Sequence, residues 1–389
     1  MLNFSYKNNT KLIFGKNSID KLEDELKKYN SKVLMLISGN GKYLKDLGIY
    51  NKVKENCEKL NIKLIYNNEV IPNPEVELVR KLVDICKKES VDFILAAGGG
   101  SVMDTAKAVA VGALSDEDVW EFYLYNKIPE KALNIGVIST LPASGSEASN
   151  CSIISNGKYK LGLETDLITP EFAILDPEYT KTLPLYQTSV GICDISSHLI
   201  ERYYSAVKNT DTTDYMIEGL LKALIINGLK LIKNPDNIDA RAEVFLISIF
   251  AHNNILDSGR MADWASHRIE HELSGEYGIT HGEGMAVVLV AYTKYMAKKK
   301  PEKLAQLVNR VFGIDSFDYS LTEMAEILAD KLEDFYKKLH LRTKLSEMNI
   351  NDTDFEKMAD RATKNGSNKI GHYLPLGKEE IIEILNIAR

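Results

Sequence analysis

Hydrophobic positions follow different rhythms in the two halves of the chain. In the first half, short apolar runs alternate with stretches in which apolar residues recur every three or four positions. Such alternation indicates βαβ units and a parallel sheet. The predicted strands span residues 33–37, 62–66, 91–97 and 134–141, and the predicted helices between them span residues 45–60, 75–89 and 102–113.

From about residue 186 onward the helical rhythm dominates. Prolines are sparse in this half, and Pro177 favours a turn just before it. The pattern predicts a Rossmann-like α/β domain over residues 1–180 and an all-helical domain over residues 181–389. The predicted helices span residues 188–206, 213–232, 238–258, 286–297, 301–311 and 321–339.

Composition excludes several classes of protein. The 389 residues carry a net charge of −7, which argues against nucleic-acid binding because phosphate contacts need clustered Lys and Arg. No apolar run approaches the roughly 20 residues that cross a bilayer, and the N-terminus lacks the apolar segment of a signal peptide. Four cysteines without short spacing give no disulfide framework. We therefore expect a cytoplasmic protein that binds neither nucleic acid nor membrane.

A run of glycines follows the third predicted strand. Gly98, Gly99, Gly100 and Ser101 lead directly into a predicted helix. Glycine lets the backbone approach a phosphate, and the N–H groups of a first helical turn point towards it. The G-x-G-x-x-G fingerprint is absent, and the run also fits a plain turn with a capping box formed by Ser101 and Asp104. Three consecutive glycines exceed what a turn needs, which favours phosphate binding.

The loop after the first predicted strand bears on the choice of coenzyme. It reads Ser38-Gly39-Asn40-Gly41-Lys42 and contains no acidic residue. In nucleotide-binding folds an acid at this position binds the ribose 2′-hydroxyl of NAD, whereas small and cationic residues accept the 2′-phosphate of NADP. The loop therefore favours NADP(H) over NAD(H). A second polar loop, over residues 139–147, suits contact with a diphosphate or ribose, although such loops are common.

Four residues of the second half form a candidate metal site. Asp194 and His198 are four residues apart in a helical stretch, so their side chains share one helix face. His267 and His281 follow in two later segments. Three imidazoles and one carboxylate suit a divalent transition metal, and this thiolate-free set accepts both iron and zinc.

The segment around His267 also fits a second pattern. His267, Glu270 and His271 match the H-x-x-E-H motif of a metallopeptidase, with the glutamate as general base. That interpretation does not explain the glycine run. Under the first interpretation, His271 lies one helical turn from His267 and either relays a proton or is a hydrogen-bonded pocket residue. His252, which has no partner at useful spacing, is predicted to be structural.

Taken together, these motifs resemble the iron-containing alcohol dehydrogenases, in particular the branch of butanol dehydrogenases and NADPH-dependent aldehyde reductases. The resemblance covers nearly the whole chain and includes residues 12–16 and 175–184. It implies a dinucleotide-binding domain followed by a helical metal-binding domain, an architecture similar to that of dehydroquinate synthase, and commonly a homodimer. It also implies interconversion of primary alcohols and aldehydes by hydride transfer, with the metal polarising the substrate oxygen.

The resemblance implies specific roles for individual residues. The metal, Fe(II) rather than Zn(II), would be bound by Asp194, His198, His267 and His281. The residues expected to line the dinucleotide are Gly39, Asn40, Gly98, Gly99, Gly100, Ser101, Asp104, Thr140, Leu141, Ser144, Lys160, Thr180 and Leu183. The family usually has a run of glycines and a serine at positions 38–42, so the departure here leaves the coenzyme choice open.

Other functions remain compatible with parts of the pattern. A polyol dehydrogenase similar to glycerol dehydrogenase shares the same chemistry. A metal-dependent lyase of the dehydroquinate-synthase type shares the layout but needs a cationic pocket, and no arginines are concentrated near the metal segments. A non-catalytic nucleotide-binding protein would not need four metal ligands.

Overall fold

The computed structural model describes residues 1–350 and 354–389. These residues divide into two compact units, one formed by Lys7–Leu183 and the other by Met1–Tyr6 together with Pro184–Arg389. The sequence-based boundary after residue 180 placed the first six residues in the α/β domain. They belong with the helical unit instead, where the backbone N–H of Leu2 donates to the carbonyl of Gly259 over 2.8 Å.

The α/β unit is built on a six-stranded sheet with a separate two-stranded antiparallel pair. Its strands are β1 (Lys11–Phe14), β2 (Val33–Gly39), β3 (Lys63–Val70), β4 (Phe93–Gly98), β5 (Asn134–Ser139), β6 (Cys151–Asn156), β7 (Tyr159–Glu164) and β8 (Phe172–Leu175). The order in the large sheet is β1-β8-β5-β4-β2-β3, and all neighbouring strands are parallel. The predicted parallel sheet is confirmed. β1, β6, β7 and β8 were not predicted, since they are short or lack a continuous apolar run.

Six helices connect the strands of this unit in the described residues. They are α1 (Leu22–Leu26), α2 (Tyr43–Asp46), α3 (Ile49–Lys59), α4 (Val76–Glu89), α5 (Gly100–Ala113) and α6 (Val119–Tyr123). The single helix predicted over residues 45–60 is divided in two at Gly48, whose φ of 73° is left-handed and ends a right-handed helix.

The carboxyl ends of β2 and β4 form the topological switch point of the large sheet. The chain leaves β2 towards β3 on one side and leaves β4 towards β5 on the other. The ends are aligned, because Ser38 pairs with Ala97 and Gly98 pairs with Ser139. Open parallel sheets bind ligands at such a point, and the glycine run follows β4 directly.

Apart from one isolated antiparallel bridge between Ile370 and Leu376, the described secondary structure of the second unit is helical. Its helices are α7 (Leu185–Tyr203), α8 (Asp211–Lys233), α9 (Ile238–His252), α10 (Ala265–Tyr277), α11 (His281–Lys299), α12 (Glu302–Phe312), α13 (Leu321–Lys338), α14 (Phe355–Ala362) and α15 (Lys378–Ile387). Most residues of α7 and α11 are buried on all sides, as expected of central helices. No helix among the described residues combines the length and apolar character needed to cross a membrane.

Candidate functional site

Three helices of the second unit carry the predicted metal ligands. Asp194 and His198 lie on α7, His267 lies on α10, and His281 is the first residue of α11. Asp194, His267 and His281 each offer one ligand atom, and these three atoms lie within 4.8 Å of one another. The Nε2 atom of His281 is 3.4 Å from Oδ1 of Asp194. The structure therefore gathers three of the four predicted ligands into one group.

His198 lies against this group without being one of its three members. Its Nε2 is 3.7 Å from Oδ1 of Asp194. Its ring stacks on that of His267, with the centroids 4.9 Å apart and the planes 12° from parallel. Burial, followed by the nearby His252, lowers the pKa of His198 well below its ordinary value. The ring is therefore neutral, which is the protonation state that binds metals.

Several polar atoms of the group have no hydrogen-bond partner within the part of the chain that is described. They are Oδ1 of Asp194, Nδ1 of His198 and Nε2 of His267, and all three are buried. A buried polar atom without a partner costs about 1–3 kcal/mol. A divalent cation coordinated by Oδ1 of Asp194 and Nε2 of His267 would remove that cost for these two atoms, and the nitrogen-rich donor set suits a transition metal. The residues present thus fit the metal that the sequence predicts.

Two buried glutamates hold the rings of the group. Glu201 on α7 is hydrogen-bonded to Nδ1 of His267, and Glu270 on α10 is hydrogen-bonded to Nδ1 of His281. The sequence analysis missed Glu201 and assigned Glu270 only as a peptidase base. The signal for Glu201 was its position seven residues after Asp194, which places both residues on one face of α7.

Close packing of α11 depends on two glycines. A Cβ atom at Gly282 would lie 2.2 Å from the carbonyl oxygen of Val190 on α7. A Cβ at Gly284 would lie 2.6 Å from a carboxylate oxygen of Glu270. The first glycine lets α11 approach α7, and the second leaves room for the glutamate that holds His281.

Two further histidines adjoin the group. His252, which was predicted to be structural, stacks on His198 with the centroids 4.6 Å apart. This contact has no counterpart in sequence spacing, because α9 and α7 are brought together only by tertiary packing. His271 is half-buried, and its ring centroid is 5.7 Å from that of His281.

The contacts do not favour the metallopeptidase pattern. Among the described residues, the groups able to hold a cation combine His267 with Asp194 and His281, whereas His271 is grouped with Glu270 and His281. The rings of His267 and His271 are perpendicular, with the centroids 6.5 Å apart. Glu270 is engaged by His281 and by the Ser274 hydroxyl. Glu270 is therefore not placed as the general base of a metal site formed by His267 and His271.

The α/β unit brings most of the predicted dinucleotide residues to one edge of its sheet. The backbone N–H of Thr140 donates to the carbonyl of Gly98 over 3.1 Å. A Cβ atom at Gly99 would lie 3.3 Å from Leu141, and one at Gly100 would lie 2.6 Å from the Ser144 hydroxyl. The glycine run is therefore packed closely against the loop that follows β5.

Tyr43 connects this edge to the end of β2. Its hydroxyl accepts a hydrogen bond from the backbone N–H of Gly39 over 3.0 Å and donates one to the carbonyl of Ala97 over 2.8 Å. Gly39 and Asn40 thereby lie beside the glycine run, and both Asn40 and Lys42 are exposed. The sequence analysis did not single out Tyr43, because an isolated tyrosine in a loop carries no motif.

Asp104 does not form the capping box that the sequence suggested. α5 begins at Gly100, and no side chain caps it. Instead, Asp104 accepts hydrogen bonds from the Ser146 hydroxyl over 2.8 Å and from the backbone N–H of Ile153 over 3.2 Å. Both carboxylate oxygens therefore join α5 to the following loop and to β6.

The remaining predicted dinucleotide residues lie in separate segments of the unit. Ser101 is in the first turn of α5, and Lys160 is in β7, where it pairs with Ser155. Thr180 and Leu183 follow β8. The Thr180 hydroxyl is buried and donates to the carbonyl of Pro177 over 2.7 Å, so it already has a partner within the unit.

Comparison with known proteins gives consistent matches along the chain. Residues 9–177 match the family model described as iron-containing alcohol dehydrogenase, and residues 188–388 match that of the Fe-containing alcohol dehydrogenase family, C-terminal. The chain is 38% identical over 390 residues, 100% of both chains, to the probable NADH-dependent butanol dehydrogenase 1 of Bacillus subtilis. It is 30% identical over 376 residues, 95% of each chain, to the NADPH-dependent aldehyde reductase YqhD of Escherichia coli.

A solved structure shares the whole fold. The crystal structure of NADH-dependent butanol dehydrogenase A from Thermotoga maritima superposes with a TM-score of 0.94 and is 32% identical in sequence. The match covers 100% of this chain and 99% of the other.

Proposed function

The chain belongs to the iron-containing alcohol dehydrogenase family, and from this premise we propose that it interconverts primary alcohols and aldehydes by hydride transfer. As a member of this family it is an oxidoreductase that acts with a metal and a nicotinamide coenzyme. The observation that carries the proposal is the group formed by Asp194, His267 and His281, with His198 against it. A nucleotide-binding protein without catalytic activity has no need of such a group.

The proposed metal ligands are Asp194, His198, His267 and His281, and the proposed metal is Fe(II). A divalent cation held by these residues would supply a Lewis acid that draws charge from a substrate oxygen. Because imidazoles bind metals in their uncharged form, Asp194 alone among these ligands offsets one of the two positive charges of such a cation, which favours binding of an alkoxide or a polarised carbonyl. Zn(II) is the alternative, because the donor types alone do not separate the two metals.

The proposed dinucleotide site is the switch-point edge of the sheet. Gly98 is buried, whereas Gly99 and Gly100 are partly exposed, and the first turn of α5 directs its free N–H groups away from the helix. These features suit the diphosphate. The absence of an acidic residue in the loop after β2, together with the exposed Lys42, supports NADP(H) over NAD(H). The relatives named above include both NADH- and NADPH-dependent enzymes.

His271 is the proposed proton donor to the product alkoxide. It lies one helical turn from His267 and is half-buried, so it is close to the proposed ligands without belonging to their set. We expect His271→Ala to retain the metal and to lower kcat by about 10²–10⁴-fold, the range typical of a general acid. Loss of metal from that variant, or unchanged turnover across pH, would contradict this role.

The proposal is tested by a substrate panel. Metal-free protein is reconstituted separately with Fe²⁺ and Zn²⁺ and is assayed with aliphatic aldehydes, aliphatic alcohols and glycerol, using NADH and NADPH. We expect reduction of aldehydes to primary alcohols, a higher kcat/KM with NADPH, and higher turnover with Fe²⁺. A preference for glycerol would favour a polyol dehydrogenase, and turnover independent of metal would refute the proposed Lewis acid.

Two properties complete the proposal. We expect a homodimer, as the family resemblance implies, and a cytoplasmic location. Sedimentation of the purified protein and fractionation of its cells measure these two properties directly.

A further inference from the structure

We propose that Glu201 and Glu270 are positioning residues that aim the Nε2 atoms of His267 and His281 at the cation, and that they differ in what can replace them. This inference rests on the proposed function, because it assumes that the two histidines bind a metal. It goes further by assigning the orientation of those ligands to two carboxylates outside the ligand set.

Glu201 joins α7 to the start of α10. One of its oxygens accepts a hydrogen bond from the backbone N–H of Ser266 over 2.7 Å, and the other is hydrogen-bonded to Nδ1 of His267. The glutamate is fully buried. Because Glu201 and Asp194 share α7, this carboxylate fixes His267 relative to the helix that supplies another ligand.

Glu270 joins α10 to the start of α11. One of its oxygens accepts a hydrogen bond from the Ser274 hydroxyl, and the other is hydrogen-bonded to Nδ1 of His281. It is also fully buried. The two glutamates therefore connect the three ligand-bearing helices in series, from α7 through α10 to α11.

The hydrogen bonds determine which ring nitrogen is available. An imidazole that binds a metal through Nε2 carries its proton on Nδ1, and a carboxylate accepting from that N–H fixes both the tautomer and the ring orientation. In His267, Nε2 is buried without a hydrogen-bond partner among the described residues. In His281, Nε2 is 3.4 Å from Oδ1 of Asp194. Both rings thus direct the nitrogen opposite their glutamate towards the ligand group.

The two sites respond differently to glutamine, which has one acceptor oxygen and one donor amide group. Glu201 accepts from two N–H donors, Ser266 and His267, so glutamine at this position leaves one of them facing another donor. Glu270 accepts from His281 and from a hydroxyl. The Ser274 hydroxyl can instead accept from the amide and donate to the carbonyl of Ile279, which lies 3.3 Å away. Glutamine therefore retains the hydrogen bonds of Glu270 to His281 and Ser274 but loses one of the two hydrogen bonds of Glu201.

The test measures binding of Co²⁺ to the metal-free full chain by chelator competition and by the visible absorption of bound Co²⁺. We expect Glu201→Gln and Glu270→Ala to weaken Co²⁺ binding by about 10–100-fold, as loss of such partners typically does. We expect Glu270→Gln to stay within about threefold of the unaltered protein, with an unchanged absorption spectrum, because both hydrogen bonds persist. Glu218→Gln is the matched control, since Glu218 is a buried glutamate whose partners are Tyr203 and Arg310.

The outcomes separate this inference from the proposed function. If the unaltered protein binds no Co²⁺, or if His267→Ala binds it normally, the proposed metal centre itself is wrong. If the centre binds Co²⁺ but Glu201→Gln and Glu270→Gln weaken Co²⁺ binding equally, the loss of negative charge explains the effect. The positioning inference is then overturned. If Glu201→Gln does not fold, the comparison of Glu270→Gln with Glu270→Ala decides. The inference requires that the glutamine variant keeps the Co²⁺ affinity that the alanine variant loses.

Discussion

The Nε2 atom of His281 lies 3.4 Å from Oδ1 of Asp194, although the two residues belong to α11 and α7. Next to His281, Gly282 allows the two helices to approach so closely that a Cβ there would lie 2.2 Å from the carbonyl oxygen of Val190. The geometry of the proposed metal centre therefore depends on a backbone contact between two helices as well as on its ligands.

Gly282→Ala is expected to separate α11 from α7, because a backbone carbonyl cannot rotate away as a side chain can. We expect a loss of about 1–3 kcal/mol in the free energy of unfolding, the usual cost of overpacking, and weaker metal binding. Thermal unfolding and metal titration measure the two effects. Gly219→Ala is the control. A Cβ at Gly219 meets no atom within 4 Å, so alanine should stabilise α8 by about 0.5–1 kcal/mol.

His267→Ala is expected to abolish stoichiometric metal binding and to reduce turnover to background. The change removes one of the three ligand atoms that lie within 4.8 Å of one another. Dinucleotide binding should remain measurable, because the proposed dinucleotide residues belong to the other unit. Metal analysis and coenzyme fluorescence titration test the two halves of this prediction. Full activity in a variant shown to be metal-free would exclude the proposed role.

Gly100→Ala is expected to weaken coenzyme binding. The added Cβ would lie 2.6 Å from the Ser144 hydroxyl, so the loop and the start of α5 must move apart. An overpacking cost of roughly 1–3 kcal/mol corresponds to about a 5- to 150-fold rise in the dissociation constant for the dinucleotide. Because the clash involves a side chain, the double variant Gly100→Ala/Ser144→Gly should recover part of the affinity. If the double variant recovers no affinity for the dinucleotide, the contact with Ser144 is not the cause of the weaker binding.

Glu147→Gln is expected to stabilise the protein at pH 8 but not at pH 5. Glu147 belongs to the loop after β5 and is buried, and burial raises its pKa from 4.5 to about 7, with Lys107 opposing the shift. A raised carboxyl pKa means that folding favours the protonated form, so stability is lost as the pH rises from 4.5 through 7. Glutamine removes this loss.

We expect the gain at pH 8 to be about 1–3 kcal/mol, given 1.36 kcal/mol for each pKa unit. Thermal unfolding of both proteins at the two pH values measures it. The exposed Glu58 of α3 supplies the control, since a surface change to glutamine should alter the free energy of unfolding by less than about 0.5 kcal/mol. An equal effect of Glu147→Gln at both pH values would refute the ionisation account.

Most of the secondary structure was predictable, but particular elements were not. β2 to β5 and helices such as α4 and α8 follow directly from the spacing of apolar residues. α10 was not among the helices predicted from apolar spacing, because its short buried stripe of Ala265, Ile269 and Leu273 is interspersed with buried polar residues such as Ser266, His267 and Glu270. The prediction of one helix over residues 45–60 was wrong, because the positive φ of Gly48 separates α2 from α3.

Some residues of the candidate site could likewise be predicted from the sequence, and others could not. The residue types for the proposed metal centre were recognisable in Asp194, His198, His267 and His281, and the proposed phosphate-binding loop was suggested by three adjacent glycines. Glu201 was missed and His252 was predicted to be structural, because each contacts a histidine on another helix. No local spacing carries that information.

The sequence by itself determined the alternation of strands and helices in the first half, the helical character of the second, and the kinds of side chain available for chemistry, because hydrophobic periodicity and ligand type are local properties. Only the tertiary structure decided which carboxylate holds which imidazole, and it paired Glu201 with His267 and Glu270 with His281. Those pairings depend on how closely three helices pack, and that distance is set by contacts between residues far apart in the chain.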